Sequence, residues 1–180
     1  EKSVLLDMIT KHRNIESEYK LIYRSTRDGF TRKAFYNKLQ KQKPSLHIIE
    51  TSDGDVFGAF VSIIMPSEEA LNYHLYADDK AFLYTIRSSN NDFMDRKIPR
   101  IFPIKSDMIA KAIGVQSYYW LMFGNGADEF FVSENHFKSR DTIYGGGGTF
   151  DGIPSNKYYL TSGNDKIMIN DIETFILIDK

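Results

Sequence analysis

Residues 46–61 spell out a β-hairpin, and much of the fold follows from it. Leu46-His47-Ile48-Ile49-Glu50 and Val56-Phe57-Gly58-Ala59-Phe60-Val61 flank Thr51-Ser52-Asp53-Gly54-Asp55. Two runs rich in β-branched and aromatic residues around an Asp-Gly predict paired antiparallel strands. Further strand-like runs occupy residues 19–24, 81–86, 100–104, 117–123, 129–133 and 171–179. Many short strands with turn signals between them, and few helices, predict an antiparallel β-sandwich or barrel with helical cover. Strands do not alternate regularly with helices, so a doubly wound parallel sheet is not expected.

The helical signals sit near the start. Val4, Leu5, Met8, Ile9, His12 and Ile15 recur at helical spacing and predict an amphipathic helix over roughly the first 17 residues. Asp28-Gly29 breaks the strand over 19–24. Thr31 is placed to cap a second helix, with Ala34, Phe35 and Leu39 inward and Arg32, Lys33, Lys38 and Lys41 in water; Pro44 ends it. Short helical turns are expected near 67–71 and 107–113. No internal repeat or linker appears, so residues 1–180 read as one domain.

Several function classes fall away on composition. The chain has no Cys, which removes disulfides, zinc ribbons, iron–sulfur clusters and thiol chemistry. No run approaches the roughly 18 apolar residues of a membrane span, so no membrane insertion is expected. An intracellular protein follows, and the start at Glu1 without Met suggests a fragment of a longer chain. The near-neutral total of −1 hides a polarity: residues 20–43 carry a net +7 and residues 44–95 a net −7. Either the chain bears a basic and an acidic face, or the two segments pack together and neutralise each other.

The candidate chemistry motifs each have a plainer explanation. Gly145-Gly146-Gly147-Gly148 lacks the Lys-Ser/Thr and the strand-to-helix setting of a phosphate loop, and reads as a surface loop. Phe123-Gly124-Asn125-Gly126-Ala127 reads as a tight turn. His12, His47, His74 and His136 show no metal-ligand spacing and read as structural histidines. Asp53-Gly54-Asp55 lacks the rest of a calcium loop, and Asp78-Asp79 reads as solvated acid. Glu129 follows the Gly-rich turn and precedes Phe130-Phe131-Val132; it either caps the turn or is a carboxylate held ionised for binding or hydrolysis. No metal ligand or cofactor is assigned.

Taken in order, these stretches resemble the TLDc domain, the module of the oxidation-resistance protein family. The likeness runs through Leu21-Ile22-Tyr23-Arg24 with Asp28-Gly29, through Asp53-Gly54-Asp55-Val56-Phe57-Gly58-Ala59-Phe60-Val61-Ser62, and through Phe82–Ile86. It continues in Phe123-Gly124-Asn125-Gly126-Ala127-Asp128-Glu129-Phe130, Thr149-Phe150 and the closing Ile169–Phe175, where Glu173 falls. The resemblance implies an α+β fold, a central antiparallel β-sandwich flanked by a few helices. It also implies a cytoplasmic role in protection against oxidative stress, with the vacuolar proton-pumping ATPase as a partner of several members. It supplies no catalytic residues. Where members often carry a Cys shortly before the Thr-Phe pair, this chain has Gly147 and Gly148, so it cannot scavenge peroxide through a thiolate there.

Three functions follow as expectations. The first is a non-enzymatic interaction module in oxidative-stress protection, binding peripheral subunits of the proton-pumping ATPase. The partner-binding candidates are Arg24, Arg27, Arg32, Lys33, Lys38 and Lys41. The second, with a nuclear location open, is a nucleic-acid-binding regulator using the same cations, with Tyr36 as a stacking face. The third is a hydrolase with its site near Glu129.

Overall fold

The computed structural model describes residues 2–39, 42, 44–65, 73–90, 99–116, 118–124, 130–142, 148–153 and 158–180. In chain order these form α1 (Lys2–Arg13), β1 (Ser17–Arg24), α2 (Ser25–Asp28), α3 (Arg32–Leu39), β2 (Ser45–Thr51) and β3 (Val56–Val61). Then come β4 (His74–Tyr76), β5 (Phe82–Arg87), β6 (Arg100–Pro103), β7 (Ile113–Gln116), β8 (Tyr119–Phe123) and β9 (Phe130–Ser133). The chain closes with β10 (Asp141–Thr142), β11 (Lys166–Ile167) and β12 (Ile169–Asp179). Single 3-10 turns lie at Ile109–Lys111, Glu134–Phe137 and Tyr159–Thr161.

The predicted hairpin is the centre of the larger sheet. β2 and β3 pair antiparallel from Ser45↔Val61 to Glu50↔Val56, and Gly54 takes a φ of 95° in the turn. Six strands follow the order β1-β12-β2-β3-β5-β6; a second sheet follows β4-β7-β8-β9, and β10 pairs with β11. All pairings are antiparallel. The architecture is the expected α+β sandwich.

Strand periodicity sorts the core into two layers. Ile49, Phe57, Ala59, Val61 and Leu83 meet Trp120, Phe123 and Phe130 in one apolar cluster, and the Phe57 and Phe130 rings meet edge-on at 5.4 Å. The alternate positions Leu46, Ile48, Val56, Phe60, Phe82 and Tyr84 turn the other way and cluster with Leu5 and Ile9 of α1. Both faces of β3 are therefore buried. Gly58 is required at the crossing of these layers: Tyr84 Oη donates to the His47 carbonyl at 2.6 Å. A Cβ on Gly58 would overlap that carbonyl and stand 2.5 Å from the Tyr84 oxygen.

Several sequence expectations are corrected in detail. α1 stops at Arg13, short of residue 17, because Asn14 adopts a left-handed φ of 53° and β1 starts at Ser17. Only Ile109–Lys111 of the turn expected over 107–113 is helical; Ile113 opens β7, pulled into the sheet by β8. Asp78 is not solvated: it is buried and accepts from Ser62 N at 2.7 Å and Ser62 Oγ at 2.5 Å. Tyr36 offers no stacking face, because it is buried and donates its hydroxyl to the Trp120 carbonyl at 2.8 Å. Lys41, Gly126, Glu129, residues 145–147 and the turn expected at 67–71 lie outside the described residues.

Candidate interaction surface

The basic segment divides between two places. At the end of β1 the chain folds into α2 and its cations turn back on acids. Arg24 Nε donates to Asp171 Oδ2 at 2.7 Å and stands 3.7 Å from Glu173 on β12. Ser25 Oγ donates to Asp171 Oδ1 at 2.6 Å and accepts from Ile172 N at 2.9 Å, while Thr26 adds its hydroxyl at 3.1 Å. Burial works to raise the Asp171 carboxyl, but the bonds from Ser25, Arg24 and Thr26 outweigh it and hold it below the usual range.

Asp28 is engaged in the same way. It accepts from Arg27 Nη2 at 2.6 Å and from Arg24 N at 2.9 Å, with Lys38 Nζ at 3.6 Å. The Arg27 bond leads in bringing its pKa down to about 2. Gly29 N donates to Ser25 O at 3.0 Å and Gly29 O accepts from Tyr23 Oη at 2.8 Å, closing the turn. So Arg24, Arg27 and Lys38 are spent on Asp28, Asp171 and Glu173, not on the acidic 44–95 segment.

Arg32 goes elsewhere. Thr31 caps α3 as expected, its Oγ1 accepting from Ala34 N at 3.2 Å. This sets Arg32 at the helix start, its guanidinium 4.8 Å over the Tyr36 ring. There it borders a cleft of about 530 Å³ with Tyr118, Trp120, Glu134, Asn135 and Lys138. Lys33 is exposed and in no ion pair among the described residues.

Aromatic rings connect the cleft to the core. Trp120 stacks on Phe137 at 4.9 Å, and Phe137 in turn meets Phe30 at 5.1 Å. Phe30 is 43% exposed and Tyr118 75%. Trp120 itself is buried, yet its indole Nε1 has no hydrogen-bond partner among the described residues.

A buried histidine fixes the turn that forms the far wall. His136 Nδ1 accepts from Ser133 N at 3.1 Å, and its Nε2 lies 3.2 Å from the Thr142 carbonyl. A backbone N–H on one nitrogen and a carbonyl on the other select the neutral Nε2–H tautomer. Burial lowers its pKa, against smaller opposing effects of Asp141, Thr142 and Ser133. Glu134, Asn135 and Lys138 are thereby held toward α3.

Two other concavities lie on the outer face of the larger sheet. One of about 650 Å³ is bordered by His12, Arg13, Phe60, Lys80, Phe82 and Asp179; Arg13 there is bound to Asp179 at 3.1 Å and to Ser17 at 2.9 Å. One of about 150 Å³ contains Arg24, Glu50, Arg87, Asp171 and Glu173, with Arg87 bound to Glu50 at 3.0 Å. Among the described residues no group of three or more His, Asp or Glu is placed to hold a metal ion. None of their helices is long and apolar enough to cross a membrane.

The remaining motif residues have structural roles. Phe57 fills the core, Gly54 makes the hairpin turn, and Gly124 ends β8 by donating to the Ala112 carbonyl at 3.1 Å. Sequence reasoning named Arg32 and Lys33 but passed over Tyr118, Trp120, Glu134 and Lys138. Their legible signals were the Tyr118-Tyr119-Trp120 triplet and the i,i+4 spacing of Glu134 and Lys138.

No curated protein sequence matches this chain. The profile described as the TLDc domain matches residues 2–178, nearly the whole length. With the sandwich, the hairpin and the closing strand where the resemblance required them, the chain belongs to the TLDc domain family, a family related to oxidative stress.

Proposed function

We propose that this domain is a cytoplasmic interaction module in protection against oxidative stress, and that it binds its protein partner at the Arg32–Trp120 cleft. Peripheral subunits of the vacuolar proton-pumping ATPase are the partner that the family relationship favours. The observation that carries the reading is the composition of the cleft rim. Exposed Tyr118 and the oriented Arg32 line it, and half-exposed Phe30 is linked to it through Phe137 and Trp120; aromatic rings and Arg are the residue types that dominate binding energy at protein interfaces.

Affinity capture from oxidatively stressed cell extract, with and without nuclease, tests this by mass spectrometry. ATPase peripheral subunits retained through nuclease treatment support it. Recovery of RNA or chromatin that vanishes with nuclease overturns it in favour of the nucleic-acid reading. That alternative has lost its stacking face at Tyr36, and three of its cations are held by Asp28, Asp171 and Glu173.

A further inference from the structure

We propose that the open edge of the larger sheet, the Ser17–Leu21 part of β1, pairs antiparallel with the same edge of a second copy of this chain. The two ends of that sheet are finished differently. Beside β6 the chain lays residues 149–151 along its own edge. Phe150 bridges Ile104, Asp151 N donates to the Pro103 carbonyl at 2.8 Å, and Lys105 N donates to the Thr149 carbonyl at 3.1 Å. Pro103 also brings no N–H to that edge.

β1 is closed only toward its end. Beyond Leu21 its register on β12 shifts, Arg27 Nη2 donates to the Ile22 carbonyl at 3.3 Å, and Asp28 accepts from Arg24 N at 2.9 Å. Over Ser17–Leu21 β12 lies on one side, and among the described residues no strand lies on the other. Alternate backbone N–H and C=O groups of an edge strand point away from its sheet and offer a template for another strand.

The side chains select the strand that fits. Ser17 and Tyr19 turn toward α1: Arg13 donates to Ser17 Oγ at 2.9 Å, and Tyr19 packs against the apolar cluster that holds Leu5 and Ile9. Glu18 and Lys20 share the opposite face and are exposed. In an antiparallel pair of copies centred on Tyr19, Glu18 of each copy lies directly opposite Lys20 of the other. The twofold axis makes that ion pair twice. Within its own chain Glu18 has only the ammonium of Lys180 at 3.6 Å, and both side chains are at least half exposed, so that pair holds it weakly.

Charge also fixes the register. A slip of two residues either way sets Glu18 against Glu18 or Lys20 against Lys20, like charges directly opposite. A slip of one residue exchanges the two faces. Charged side chains on an edge discourage unrelated strands. Here their alternation is complementary to itself, which favours a second copy over a strand of another protein.

Sedimentation of the full chain across a concentration series tests this. A contact confined to one strand edge is small, so a dimer with a Kd of about 0.1 mM or tighter is expected. Glu18→Lys and Lys20→Glu each replace both attractive pairs by like charges and should weaken the dimer roughly tenfold or more. Both sites are exposed, so the fold is spared. An equimolar mixture of the two variants should recover the dimer, because lysines on one copy then face glutamates on the other.

A wild type that stays monomeric at about 1 mM overturns the proposal. So does a dimer that neither variant weakens, or one that the mixture fails to recover. Amide hydrogen exchange identifies the occupant of the edge. New protection of Ser17–Leu21 that grows with the concentration of the pure chain supports self-pairing. Protection found only in a complex captured from cell extract overturns it in favour of a strand from another protein.

Discussion

Arg24 and Arg32 come from the same basic stretch and meet opposite surroundings. Arg24 is bound to Asp171 at 2.7 Å beside a serine, a threonine and Glu173, in a network where nearly every donor has an acceptor. Arg32 lies over a tyrosine ring on an open cleft, where the nearby carboxylate is held at 3.3 Å and the neighbouring indole N–H is unmet. The first arrangement ties β1 to β12. The second borders a cleft of about 530 Å³ between α3 and the turn after β9. A charge count along the chain sees no difference between them; the difference lies in what the fold brings opposite each cation.

The comparison can be pressed first where both regions share a support. Gly58→Ala forces a methyl into the His47 carbonyl and Tyr84 hydroxyl, and should destabilise the chain by about 3 kcal/mol or more. Urea unfolding followed by circular dichroism checks it, and both regions should be lost in one transition. A separate, earlier loss of the cleft would show that it folds independently of the central hairpin.

Asp171→Asn strikes the satisfied network alone. It leaves Ser25, Thr26 and Arg24 without their shared carboxylate and should cost about 2–3 kcal/mol in the same measurement. Partner capture by the folded fraction should be unchanged. A large loss of binding affinity in that variant would couple the two regions and undo the contrast.

Acid acts through the buried histidines. His47 lies between Ser45 Oγ and Thr174 Oγ1, each at 3.1 Å, and burial pushes its pKa from 6.5 down to about 3. The unfolded chain takes up that proton below about pH 6.5 and the folded chain does not. Its contribution is therefore intact above pH 6.5 and lost progressively as pH falls toward 3. Between pH 7 and pH 5 the loss should be about 2 kcal/mol, with buried His136 acting in the same direction. Asp28 responds later: its lowered pKa gives stability that is present above about pH 4 and lost toward pH 2. Thermal melts at pH 7 and pH 5 isolate the histidine window, since Asp28 stays ionised at both, and equal melting temperatures would contradict the neutral histidines.

The smallest stability effect belongs to the cleft. Glu134→Gln should change stability by no more than about 0.5 kcal/mol, since its ion pair with Lys138 is exposed and long and an amide oxygen can still accept from Arg32 N. A loss above about 2 kcal/mol would make Glu134 a structural brace of α3 and not a surface residue of the cleft.

The sheet was legible in sequence because its signals are local. The Asp-Gly between two β-rich runs, Thr31 before α3 and the apolar spacing of Leu5 and Ile9 each act within a few residues. Misses arose where tertiary partners decide. Ile113-Gly114-Val115-Gln116 is too short to declare itself a strand, and becomes one because β8 and β4 lie on either side. Tyr36 looked like a surface ring among lysines, but its hydroxyl finds the Trp120 carbonyl, 84 residues away. Of the residues that line the candidate cleft, only Arg32 was visible in the basic segment. The rest depends on Glu134 reaching α3 and on Trp120 lying beside it, and a linear pattern encodes neither.

Parallel affinity capture with the wild type, Arg27→Ala and Arg32→Ala tests the central claim most directly. All three should pass a circular-dichroism check of folding, and bound ATPase peripheral subunits are then quantified from nuclease-treated extract. The account predicts that Arg27→Ala retains the partner, because that guanidinium is occupied by Asp28, and that Arg32→Ala loses most of it. Retention by Arg32→Ala together with loss in Arg27→Ala would contradict it, and would place the binding surface at the network and not at the cleft.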